Sequence, residues 1–307
     1  MRSRWLPIAV GAVAWAAWGV FAQPAAKPTA PVSMLPTPPP KVLGSAGCAA
    51  RGCHGGPLTA ATGDPLPPSA ANACTHIHRH DPHPAAFRTL AGPRSAAMMA
   101  LLGGGDARTD VRCLSCHVTP SLASAQTTPD VERLRSEGVG CDACHTKPGH
   151  ATAEWLGPHK KGWSPGGLAD AFANRGLRWL GSAVDRSSTC AGCHVGAPAD
   201  PEHGIPVRAV THDLYAAGHP RLNFDFATFE AALPPHWSER TRKPDGSGSD
   251  APVSRGPGFP VHEWFSGQLE SARAGLELLA RQAESEGTWP ELAAFSCYSC
   301  HHDLTPT

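Results

Sequence analysis

Four segments of the 307-residue chain repeat one arrangement of two cysteines and a histidine: Cys113-Leu114-Ser115-Cys116-His117, Cys141-Asp142-Ala143-Cys144-His145, Cys190-Ala191-Gly192-Cys193-His194 and Cys297-Tyr298-Ser299-Cys300-His301. Two thiols separated by two residues can add to the two vinyl groups on one edge of a porphyrin within about one helical turn, and the adjacent imidazole then falls under the iron. The spacing is therefore that of covalent haem attachment, with His117, His145, His194 and His301 as proximal ligands. Zinc sites also use paired Cys-x-x-Cys units, but neither zinc nor a disulfide within each pair calls for a histidine directly after the second cysteine.

A fifth segment, Cys48-Ala49-Ala50-Arg51-Gly52-Cys53-His54, widens the gap to four residues. Such a gap can still reach both vinyl groups if the turn bulges, and Gly47, Gly52, Gly55 and Gly56 give the backbone that freedom. The alternative is a disulfide between Cys48 and Cys53, or between either of them and Cys74. The chain has 11 cysteines. Five haems would use ten and leave Cys74 as a buried or spare thiol, whereas four haems would leave three cysteines over. Five haems c are expected, four of them on motifs of standard spacing and one on Cys48, Cys53 and His54.

The rest of the composition fits a chain organised around such groups. Hydrophobic residues make up 41%, and glycine and proline number 32 each, which describes a loop-rich chain with a modest apolar core. The 26 basic and 26 acidic residues cancel, so nothing points to nucleic acid, which usually needs a basic excess. No fixed repeat period is visible, which excludes a solenoid.

Arg2 and Arg4 precede an apolar run from Trp5 to Phe21, and Val20-Phe21-Ala22 offers a cleavage site before Gln23. Residues 1–22 therefore read as a secretory signal peptide, or as an N-terminal anchor if uncleaved. Membrane association is expected only in the second case. Export, to the periplasm or beyond, would put the thiols in an oxidising compartment. Residues 23–42, rich in proline, read as a stiff linker. Residues 43–307 are expected to form one multihaem domain.

The expected fold class is mainly α with extensive irregular loops, compact around closely packed haems. No alternating apolar pattern is long enough for a sheet. The clearest helix spans about 261–285, where Phe265, Leu269, Ala272, Leu276 and Leu279 line one face expected to pack inward. Glu270, Arg273, Glu277 and Arg281 are spaced to pair on another face. A second helix is expected to start at Asp81-Pro82, with aspartate as cap and proline in the first turn, and to continue through Phe87 and Leu90. Residues 240–258 read as a surface loop.

Beyond the five proximal histidines, twelve remain: His76, His78, His80, His83, His150, His159, His203, His212, His219, His236, His262 and His302. Such a supply could give every iron a second imidazole. An iron saturated in this way cannot bind substrate and is suited to passing electrons. His76, His78, His80 and His83 could instead form a separate metal cluster.

From Gly44 to the C-terminus the chain resembles the multihaem cytochrome c-554/c-552-like family. The resemblance is carried by the haem motifs and by Asp81-Pro82-His83, Trp155-Leu156-Gly157-Pro158-His159, His212-Asp213-Leu214, Ala216-Ala217-Gly218-His219-Pro220-Arg221-Leu222, Pro235-His236-Trp237, Trp289-Pro290-Glu291 and Cys300-His301-His302-Asp303-Leu304. It implies close-packed haems forming an electron wire, with His83, His159, His212, His219 and His236 as candidate distal ligands. The chain departs from the tetrahaem members in its fifth motif and in its wide first gap.

A chain of about 260 residues has a radius of gyration near 18 Å, so five porphyrins inside it must nearly touch. Their propionates would make the holoprotein acidic, and its redox protein partners, donor and acceptor, are expected to present basic patches. The expected function is electron transfer without catalysis. The alternative is a multihaem reductase or oxidase of small nitrogen or sulfur compounds, which would need one iron with an open position. All five motifs end in histidine, and the only tyrosines are Tyr215 and Tyr298.

Overall fold

The computed structural model describes residues 42–67, 69–160, 165–234, 259–285, 287 and 289–302. The expected signal segment, all but the last residue of the linker, the 240–258 loop and His236 lie outside them.

Twelve α-helices occur among the described residues: α1 (Ala73–His80), α2 (Ala86–Thr89), α3 (Pro93–Leu101), α4 (Val111–His117), α5 (Pro129–Ser136), α6 (Cys141–His145), α7 (Thr152–Lys160), α8 (Pro165–Asn174), α9 (Ala183–His194), α10 (His212–Ala216), α11 (Phe226–Ala232) and α12 (Phe259–Glu284). No strand occurs among these residues. The extended pairings are isolated bridges such as Thr146 with Leu177 and Ala197 with Arg208. No helix among them is long and apolar enough to cross a membrane.

Most helices are short, so their starts depend on capping. Asp110 accepts from the Arg112 amide at 2.9 Å before α4, Ser182 from Asp185 at 3.1 Å before α9, and Asp225 from Thr228 at 2.9 Å before α11. Each side chain satisfies an amide that a helix start leaves without a partner, typically worth about 1 kcal/mol. The helix expected from Asp81 is divided. Pro82 leads into a 3-10 turn over His83–Ala85, and α2 follows. Asp81 still acts locally, accepting from the His83 amide at 2.8 Å, but its carboxylate also holds the His83 ring, which keeps this turn tight.

Among the described residues the buried apolar side chains gather into three small clusters. The largest gathers Leu90, Met99, Ala107, Leu114, Val118, Leu122, Ala123 and Leu134. The second holds Trp155, Leu156, Ala171 and Leu177, and the third Met98, Leu214 and Ala217. Arg135, only 5% exposed, closes the first cluster from α5. Its guanidinium donates to the carbonyls of Leu122 at 2.9 and 3.0 Å, Ala123 at 3.2 Å and Ala125 at 2.8 Å. Arg135→Met should strand these carbonyls and destabilise the fold by about 3 kcal/mol, read as a lower denaturant midpoint with an unchanged slope.

The long helix forms as expected, but it packs on the opposite face. Phe265, Leu269 and Leu276 are 59%, 54% and 66% exposed, while Glu263, Ser266, Glu270 and Ala274 are buried. The buried side carries small residues, so α12 lies close on α9 and α11; a Cβ on Gly267 would come within 2.5 Å of Phe226. The acidic groups there are paired. Arg186 of α9 reaches Glu263 at 3.2 Å and also pairs with Glu230. Arg273 bonds Glu270 at 2.8 Å, Glu277 at 2.7 Å and Ser188 at 3.0 Å. Of the expected charge ladder, Glu270 and Glu277 both pair with Arg273, whereas Arg281 turns to Glu284 at 2.9 Å; Arg273 also carries part of the interhelix contact.

Candidate haem-binding site

The structure sets three of the five motifs at helix ends. Cys113–His117 finishes α4, Cys141–His145 is α6, and Cys190–His194 finishes α9. One helical turn puts both thiols of a motif on the same side, with the histidine at the helix terminus where the chain can turn away. Cys297–Ser299 form a 3-10 turn instead, and the His301 amide donates to the Cys297 carbonyl at 2.8 Å. The wide first motif closes as a bulged turn: the Cys53 amide donates to Ala50 at 2.8 Å and the His54 amide to Cys48 at 3.3 Å. Its glycines are needed for close approach, since a Cβ on Gly55 would lie 1.9 Å from the Ala49 carbonyl and one on Gly56 2.6 Å from that of Ala71.

Several imidazoles are held through Nδ1. That atom of His117 lies 2.9 Å from the Ala86 carbonyl, that of His219 2.7 Å from the Pro220 carbonyl, and that of His54 against the Ala70 carbonyl. A carbonyl can only accept, so Nδ1 carries the proton and the Nε2 lone pair is left for a metal. His83 Nδ1 sits 2.7 Å from Asp81 Oδ1, a carboxylate 3% exposed. This is the arrangement by which a carboxylate orients a metal-ligating histidine. The hydrogen bond that the His83 ring donates to Asp81 raises the His83 pKa, whereas burial lowers those of His194 and His219 and favours their neutral, ligand-competent form.

Two proximal histidines face a partner from the expected distal set. The ring centres of His83 and His194 are 6.1 Å apart with planes at 87°, and those of His212 and His301 are 6.2 Å apart at 22°. A metal–imidazole bond of about 2.0 Å on each side, plus about 1.1 Å from nitrogen to ring centre, totals roughly 6.2 Å. Both pairs have the separation that two imidazoles would have if they held one iron between them. His219 lies near enough to His117 for a charge on His117 to add to burial in lowering the His219 pKa. His159 sits on α7, but its side chain, like His236, is outside the described residues. The run His76 to His83 is not gathered into a cluster: among the described residues no group of three or more His, Cys, Asp or Glu could hold a metal ion.

Residues 72–146 match the family described as Cytochrome c554 and c-prime. Over these residues the chain is similar to c-type cytochromes of the c554 kind. The matched stretch contains Asp81-Pro82-His83 and the motifs at Cys113 and Cys141, and it is narrower than the resemblance running from Gly44 to the C-terminus. No curated protein and no solved structure matches. The family implies covalently bound haem c.

The thiol environments of the motifs vary. Cys144 has an open surface of its own, yet it lies deep enough that desolvation pushes it up to about 11, and burial pushes Cys190 up to about 12. Hydrogen bonding to Cys193, with burial, pushes Cys116 up. Cys74 is 4% exposed and touches Cys141, as expected of a buried thiol. Two positioning residues were not anticipated. Asp142, inside the third motif, accepts from the amides of Leu43 at 3.3 Å and Gly44 at 3.0 Å, and from Thr152. Arg178 straps the third motif to α9: its amide donates to His145 at 2.9 Å, and its guanidinium reaches Thr146 and Thr189, each at 3.3 Å. An acidic residue between motif cysteines was the one visible signal; nothing local marks Arg178.

Proposed function

We propose that the chain is an exported electron-transfer protein relaying electrons between redox protein partners through five covalent haems. The observation that carries this reading is the pairing of His83 with His194 and of His212 with His301 at 6.1 and 6.2 Å. Bound haem supplies a one-electron ferric/ferrous couple. The chain's residues would hold each group by two cysteines, fix the imidazoles through Nδ1, and fill both axial positions, so that little rearranges on reduction. His219 is assigned opposite His117, leaving His159 and His236 as candidates opposite His54 and His145. Export fits the N-terminal segment and is typical of c554-type cytochromes. The acidic propionates favour partners with basic docking patches.

The test is a mass measurement with a pyridine haemochrome assay and electron paramagnetic resonance of the oxidised protein. The expected result is five haems per chain with low-spin irons. A high-spin iron that binds nitric oxide or cyanide would favour a catalytic reading, and a colourless protein would end both.

A further inference from the structure

Two arginines converge on the last turns of α9, where the fourth motif lies. The amide of Arg178 donates to the His145 carbonyl at 2.9 Å, and its guanidinium donates to Thr189 Oγ1 and to the Thr146 carbonyl, each at 3.3 Å. Arg208 lies on the chain that doubles back beyond the motif, where its amide and carbonyl pair with Ala197 at 2.9 and 2.8 Å. Gly196, at φ 135°, permits that approach, since a Cβ there would lie 2.6 Å from the Arg208 carbonyl. The Arg208 side chain runs over the motif itself: a Cβ on Gly192 would be 3.6 Å from Nη2 and 3.8 Å from Cζ. Thr189 and Gly192 are neighbours on one face of α9, so the two guanidiniums lie side by side. In agreement, the Arg208 charge adds to burial in holding the Arg178 pKa below the usual arginine value.

These two cations lack what the other inward-facing arginines have. Arg186 pairs with Glu230 and Glu263, and Arg135 is surrounded by carbonyls. The side-chain partners of Arg178 are neutral, and Arg208 Nε is buried without a hydrogen-bond partner among the described residues. Neighbouring like charges drawn out of water are costly unless an anion offsets them. The carbonyl end of α9 supplies only about half a negative charge. We propose that Arg178 and Arg208 form a carboxylate clamp that takes a haem propionate where the third and fourth motifs meet. Two planar guanidinium forks match a carboxylate, which would fill the orphaned Nε donor. Cations beside a haem favour ferrous iron, which carries one positive charge less than ferric, so the clamp raises the potential of the haem it holds. The proposal rests on the reading above that the third and fourth motifs carry haem.

The test compares wild-type, R208Q and R208K holoproteins by redox titration and by the resonance Raman bending bands of the haem propionates. R208Q should shift the ferric/ferrous equilibrium of one haem about tenfold toward ferric iron, a potential about 59 mV lower, and should alter a propionate band. R208K keeps the charge and should recover most of the potential. If R208Q carries the wild-type number of haems and no potential falls, or its propionate bands match the wild type, the clamp is wrong. Should R208Q fail to mature, R178Q is read by the same two criteria. Mass spectrometry of wild-type proteolytic peptides keeps the readings separate. Peptides holding Cys141/Cys144 and Cys190/Cys193 without haem would overturn the haem reading and the clamp with it. Haem on both, with potentials unmoved in the variants, would overturn the clamp alone.

Discussion

Replacing His83 with alanine should convert one low-spin iron to high spin and open it to cyanide, with the remaining signals unchanged. The ring centres of His83 and His194 are 6.1 Å apart, the separation of two imidazoles that would share one iron, and no other imidazole is in ring contact with His194 among the described residues. The ring itself is held by Asp81, whose carboxylate is 3% exposed and 2.7 Å from Nδ1. Loss of such a partner typically costs a metal site 10–100-fold in affinity. Asp81→Asn should therefore leave the iron low-spin but shift its potential. The carboxylate strengthens the imidazole as a donor and so favours ferric iron over ferrous. Its removal should raise the potential, by about 59 mV for each tenfold change in a one-electron couple, so about 60–120 mV in redox titration. An unaltered spectrum in His83→Ala would show that His83 is not a ligand, and a lowered potential in Asp81→Asn would show that the sign of the electrostatic argument is wrong.

The sequence revealed what is local and concealed what depends on approach. The motifs are legible because haem attachment fixes a spacing within one turn, and the histidine follows the second cysteine without help from the rest of the fold. The pairing of His83 with His194 spans more than a hundred residues. Resemblance selected His83 as a candidate, but nothing in the spacing linked it to α9. Arg178 was silent for the same reason, since its partners lie on two elements that meet only in three dimensions. The long helix is the instructive failure. Periodicity correctly gave a helix and correctly grouped Phe265, Leu269 and Leu276, then assigned that face to the interior. The contact with α9 instead uses Gly267 and Ala274 to bring the helices close, and paired Glu263, Glu270, Arg186 and Arg273 to fill it. Hydropathy assigns acidic residues to solvent and cannot credit them with partners on another helix.

Removing the fourth haem site should destabilise the protein far more than removing the fifth. C190A/C193A alters the end of α9, which packs along α12 and is tied to the third motif through Arg178. C297A/C300A alters an exposed 3-10 turn. Among the described residues the buried apolar side chains form three small clusters, two of which share Leu102, so buried porphyrin faces would be a principal source of apolar contact. A face pair burying on the order of 400 Å² would contribute about 10 kcal/mol at 25 cal/mol per Å², comparable with the roughly 5–15 kcal/mol of net stability typical of a domain. An exposed haem would bury only a fraction of that area. Thermal unfolding of the two holoprotein variants, followed by circular dichroism and Soret absorbance, should show C297A/C300A melting within several degrees of wild type and C190A/C193A largely unfolded or lost in expression. Equal melting temperatures would mean that protein–protein contacts such as Arg186 with Glu263, rather than porphyrin burial, hold α9 in place.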